Sequence, residues 1–63
     1  MCEAKVYIEK KDGNLEELME NVITIKPEDD KLHLVDLFGE QKYVNARFKE
    51  IKLLDHQVIL TEK

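Results

Sequence analysis

Apolar and polar residues alternate along most of this chain, and the alternation predicts strands. Ala4, Val6 and Ile8 alternate with Lys5, Tyr7 and Glu9, a period of two that gives one strand an apolar face. The strand stops at Lys11-Asp12-Gly13-Asn14, where Asp-Gly signals a tight hairpin turn. Leu15 to Asn21 has the composition of a short helix, yet two turns of helix are costly to nucleate in isolation, and Val22 to Ile25 is rich in β-branched residues. Residues 14–26 therefore read as one bent return strand that pairs with the first and turns a corner. Pro27-Glu28-Asp29-Asp30 predicts a turn, with Pro27 in its second position.

A further strand follows, with Leu32, Leu34 and then Leu37 or Phe38 on its apolar side, ending at Asp36 and Gly39. From Gln41 to Leu54 the apolar positions run Val44, Ala46, Phe48 and then shift phase to Ile51 and Leu53, the mark of a bulge or corner within a long strand. Asp55-His56 makes a last turn. The final strand carries Val58 and Leu60 on one face, or Ile59 on the other. The expected fold class is all-β: a small SH3-like barrel of five to six antiparallel strands, with the oligonucleotide-binding barrel as second choice. A bent, closed sheet buries one face of every strand and hides the edges that an open sheet exposes. Residues 1–63 read as one domain, with no repeat, linker or low-complexity segment.

Length adds a constraint. A domain of 63 residues buries only about 60% of the surface its unfolded chain exposes. Ordering costs roughly 1.5 kcal/mol per residue, which apolar burial at this size about balances. A staple is then useful, and the single cysteine, Cys2, excludes an intrachain disulfide. A metal ion, a second copy of the chain or very good packing remain.

Charge narrows the partners. The chain has 14 acidic against 10 basic residues and a pI near 5.1. The lysines alternate with acids instead of clustering, so nucleic acid is an unlikely partner. The amino end lacks the apolar core of a signal peptide, and no run approaches the ~20 apolar residues of a membrane span. These features, with one unpaired cysteine, lead us to expect a cytoplasmic protein and no membrane contact.

Cys2 is the residue with candidate chemistry. A lone cysteine is commonly a small buried hydrophobe, but a thiol beside a chain end packs against little. With Met1 retained, the terminal amine, the Cys2 backbone nitrogen and the Cys2 sulfur can close two adjacent five-membered chelate rings on one metal ion. Such an N, N, S set suits tetragonal Ni(II) or Cu(II) better than tetrahedral zinc. A two-fold dimer would bring a second Cys2 as a further donor. His33 and His56 have no metal-binding spacing, with neither His-x-x-x-His nor Cys-x-x-Cys present, and read as surface or turn histidines. His33 is out of phase with Leu32 and Leu34 and is expected to face water. Glu28-Asp29-Asp30 lacks the ligand spacing of a calcium loop and reads as a solvated turn. The chain contains no serine and no Gly-rich phosphate loop, so an enzyme is not expected.

Met1-Cys2-Glu3-Ala4 at the start, Asp36-Leu37-Phe38-Gly39-Glu40 in the middle, and Asp55-His56 before Val58-Ile59-Leu60 together resemble the CooT family of small nickel-binding proteins, over nearly the whole chain. The resemblance implies a cytoplasmic homodimer of SH3-like barrels that binds Ni(II) at the subunit interface through Cys2. It further implies that the protein helps nickel reach carbon monoxide dehydrogenase or its maturation proteins. The alternative is an SH3-like module that binds protein or RNA, with Cys2 incidental. For RNA, Tyr7, Tyr43, Phe38 and Phe48 would be the stacking candidates, although both phenylalanines are expected in the core.

Overall fold

The structure, a computed structural model, describes residues 3–63. It is all-β, with six strands and no helix among the described residues: β1 (Ala4–Glu9), β2 (Leu15–Glu28), β3 (Lys31–Asp36), β4 (Gln41–Val44), β5 (Ala46–Lys52) and β6 (Gln57–Glu62). All lie in one sheet, in the order β4-β3-β2-β1-β6-β5. Its hydrogen-bonded ladder is not closed, since β4 and β5 are the two ends. They are also the two halves of one run of chain, separated only by Asn45. The backbone thus bridges the seam by turning a corner at Asn45, and the sheet is bent into a small open barrel.

That corner explains a departure from the expected all-antiparallel pairing. Four ladders are antiparallel, but β1 and β6 run parallel, with Lys5 opposite Gln57 and Ile8 opposite Leu60. Between β1 and β6 the chain reverses at four turns only, because β4 passes into β5 without reversing. An even number of reversals leaves the two strands pointing the same way.

The return strand, not the short helix, is what residues 15–28 adopt. It bends where its pairing with β1 slips, between Ala4↔Val22 and Val6↔Met19. Asn21 takes a left-handed φ of 58° there, a conformation that asparagine tolerates better than most residues. The pairing with β3 slips next to it, between Val22 and Thr24. These bulges let one strand serve β1 with its first half and β3 with its second.

Pro27 lies inside β2, opposite Leu32, and the turn is the two residues Asp29 and Asp30. Beyond Val22, β2 has β3 on one side and no ladder to β1 on the other. An edge position of that kind accommodates a residue without an N–H.

Val6, Ile8, Met19, Val22, Leu32, Leu34, Ala46, Val58 and Leu60 form the core, with Val6, Leu34 and Leu60 fully buried. Ile59 is buried as well, so β6 is covered on both faces. The third inward position of β3 is not Leu37 or Phe38 but Asp36, only 6% exposed. Its Oδ1 accepts hydrogen bonds from the backbone N–H groups of Phe38 (2.9 Å) and Glu40 (2.8 Å). The carboxylate thereby organises the β3–β4 turn, where Gly39 has a φ of 86°. The core role expected of the phenylalanines is corrected by the same geometry. Phe38 sits at the tip of that turn and is 81% exposed, and Phe48, opposite Leu60 in the β5–β6 ladder, is 43% exposed and lies outside the core cluster.

Candidate functional site

The start of β1 is held from both sides. Ala4 pairs with Val22 of β2, and the Lys5 N–H donates to the His56 carbonyl at 2.9 Å. The turn before β6 reaches that position because β1 and β6 run parallel and the chain enters both strands at the same end of the barrel. His56 adopts a left-handed φ of 54°, which closes the turn from Leu53, whose carbonyl accepts from the His56 N–H at 3.2 Å.

Two hollows flank Ala4. One, about 310 Å³, is polar: Glu3, Lys5, Glu20, Asn21, Asp55 and His56 contribute to its walls. The other, about 250 Å³, is apolar and lined chiefly by Ala4, Ile51, Leu53 and Val58, again with His56 at its border. Among the described residues, no group of three or more His, Cys, Asp or Glu side chains is placed to hold a metal ion.

The two histidines therefore differ. His33 is on the outer face of β3, as its phase predicts, but it does not stand open to water. Its side chain is 15% exposed and stacks on Tyr43 of β4, with ring centroids 4.4 Å apart and planes inclined by 7°. Its Nε2 lies 2.8 Å from Gln41 Oε1, and its Nδ1 lies 3.5 Å from Glu28 Oε2. Both ring nitrogens have partners, which makes His33 a structural tie between β2, β3 and β4. His56 is the histidine near the amino end. Sequence spacing gave no hint that His56 lies beside Ala4 and Lys5, a placement that depends on the parallel β1/β6 ladder. Cys2 and Met1, the residues expected to bind metal, lie outside the described residues.

Glu28-Asp29-Asp30 closes the β2–β3 hairpin with Asp29 at a φ of 55°. Glu28 points at Lys26 (3.9 Å) and His33, which accounts for its side chain without a cation. No helix is long and apolar enough to cross a membrane among the described residues.

Comparison with known proteins adds what side chains alone do not supply. Residues 1–61 match the family described as CO dehydrogenase accessory protein CooT. The chain belongs to the CooT family. The match spans almost the entire chain and includes Met1 and Cys2. Among solved structures, the fold is similar to the crystal structure of putative CooT from Carboxydothermus hydrogenoformans. That comparison has a TM-score of 0.89 and 32% sequence identity, and covers 98% of each chain. No curated protein matches the chain.

Proposed function

We propose that this CooT protein is a cytoplasmic nickel-binding accessory protein and not an enzyme. In this reading one Ni(II) ion is the cargo of a homodimer, held by Cys2 of each subunit with nearby N-terminal nitrogens, including the Met1 amine, and destined for carbon monoxide dehydrogenase. The observation that carries it is the family match beginning at residue 1, which takes in the only cysteine of the chain.

Two features of the domain support the reading. The described residues provide no cluster of three potential ligands, and in this reading the donors come from the amino ends of two copies. The first residues of β1 are also fixed between β2 and the His56 turn, which gives the amino end a defined point of departure from the barrel. A thiolate and amide nitrogens favour tetragonal Ni(II) chemistry, and a shared ion would add stability to a thin domain.

Titration of the intact chain with Ni(II), followed by charge-transfer absorbance and molecular mass, tests the proposal. Saturation at one ion per two chains is expected, and Cys2→Ser is expected to abolish tight uptake. A second reading, an interaction module with Cys2 incidental, is favoured by the exposed Phe38, Leu53 and Leu54. It predicts that Cys2→Ser changes no binding property.

A further inference from the structure

The turn between β5 and β6 is unusually apolar for its position. Leu53 is 79% and Leu54 97% exposed, and the flanking Lys52 and Asp55 are exposed too. Turns at a barrel rim are ordinarily built from polar and small residues, and adjacent exposed leucines keep apolar surface in water. Beside them lies the apolar groove of about 250 Å³ lined by Ala4, Ile51, Leu53 and Val58. Leu54 is not part of the groove wall. A fully projecting leucine thus follows directly in the chain on Leu53, which lines an apolar recess.

The order of charges supplies the second observation. A two-fold axis placed between Leu53 and Leu54 runs Lys52-Leu53-Leu54-Asp55 against its own copy in the opposite direction. Lys52 then meets the partner's Asp55, Asp55 meets the partner's Lys52, and each Leu53 meets the partner's Leu54. All four contacts are complementary, as an isologous contact requires of a patch that must match itself. The open edge of β5 is a poorer candidate for pairing. Its register slips between Phe48 and Glu50, and the Lys49 left at that bulge is tied to Glu9 at 2.7 Å; bulges and lysines are devices that discourage edge-to-edge addition.

We infer that the 52–55 turn is the contact between two copies of this chain, each Leu54 entering the apolar groove of the other. The inference rests on the homodimer of the proposed function and adds the surface that forms it. Ala4, two residues after Cys2, lines the same groove. The contact thus lies at the end of the barrel from which β1 starts in both subunits.

Charge reversal with rescue tests it. Sedimentation of the full chain is measured with a chelator present and again with one Ni(II) per two chains. Lys52→Asp and Asp55→Lys each turn two attractive contacts into two repulsive ones, and each is expected to raise the dimer dissociation constant by about tenfold or more. An equimolar mixture of the two variants forms a heterodimer in which both ion pairs are regained, and is expected to return to within about threefold of the parent. Leu54→Asp is expected to dissociate the dimer while leaving the circular dichroism spectrum unchanged, because Leu54 is 97% exposed within one chain. The inference is overturned if the parent is monomeric in both conditions, if the variants dimerise as the parent does, or if mixing rescues nothing. Rescue on mixing together with nickel uptake that survives Cys2→Ser would overturn the nickel reading alone. Cys2-dependent uptake without any effect of the charge reversals would overturn the turn contact alone.

Discussion

Replacing Asp36 by alanine removes the oxygen that two backbone donors share. Asp36 is 6% exposed, and its Oδ1 accepts from Phe38 N–H at 2.9 Å and Glu40 N–H at 2.8 Å. A hydrogen bond to an ionised group contributes about 1.5–3 kcal/mol. Both donors belong to residues at an exposed turn, where water can take over part of the bonding. The net loss for Asp36→Ala is therefore set at about 2–3 kcal/mol, below the sum of two full bonds. Against a total stability of roughly 3–9 kcal/mol for a domain of this length, that is a large fraction. Asp36→Asn keeps an acceptor oxygen but loses its charge, and is expected to cost about 1 kcal/mol. Phe38→Ser, at the exposed tip of the same turn, is expected to change stability by no more than about 0.5 kcal/mol. Urea unfolding followed by far-ultraviolet circular dichroism reads all three. With a slope near 1 kcal/mol per molar, the alanine variant should lose about 2–3 M in midpoint and the asparagine variant about 1 M. An alanine variant that unfolds within about 0.5 M of the parent would refute the view that this buried carboxylate organises the β3–β4 turn.

Other outcomes follow from the same geometry. Leu34→Ala, at a fully buried position on the central part of the core, is expected to cost about 2–5 kcal/mol by urea unfolding. Asn21→Gly should stay within about 1 kcal/mol of the parent, because glycine accepts the 58° φ at the β2 bend, whereas Asn21→Val is expected to lose about 2 kcal/mol or more. Nickel occupancy at limiting metal, read by absorbance, is expected to fall as pH is lowered from 8 to 6, since an ordinary thiol with a pKa of about 8.5 and an amine must lose protons to bind the ion. A pH-independent occupancy over that range would speak against thiolate ligation.

Period-two alternation made β1 and β3 legible in the sequence, because one face of each is more deeply buried than the other, whereas β6, covered on both faces, was marked by its run of Val58, Ile59 and Leu60. Residues 15–21 form strand and not helix because pairing with β1 stabilises them, and the β-branched Val22 to Ile25 carries the same strand on to β3. The phase shift after Phe48 marked a real irregularity in the β5–β6 ladder. Less legible were features that depend on how the sheet closes. The parallel β1/β6 ladder required knowing that Asn45 turns a corner without reversing the chain. Phe38 looked like core by composition alone, yet the two bonds to Asp36 Oδ1 hold the turn with the phenylalanine outside. Pro27 looked like a turn residue because proline so often is one, and only its edge position permits it in a strand.

Of the candidate site, sequence singled out Cys2 by its isolation at the chain end, its chelate chemistry pointed to Ni(II) or Cu(II), and the resemblance to CooT proteins implied nickel. What sequence did not indicate was the proximity of His56 to the first residues of β1. Nor did it mark Leu53 and Leu54 as an exposed pair, since the spacing of Leu53 from Ile51 continued a strand face that in fact ends at Lys52.

Isothermal calorimetry of the metal-free, intact chain with Ni(II), run beside the Cys2→Ser variant, bears most directly on the account as a whole. Saturable heat with an inflection at half an equivalent per chain, absent from the serine variant, is the predicted result. No heat with the intact chain, or the same isotherm for both proteins, would contradict it.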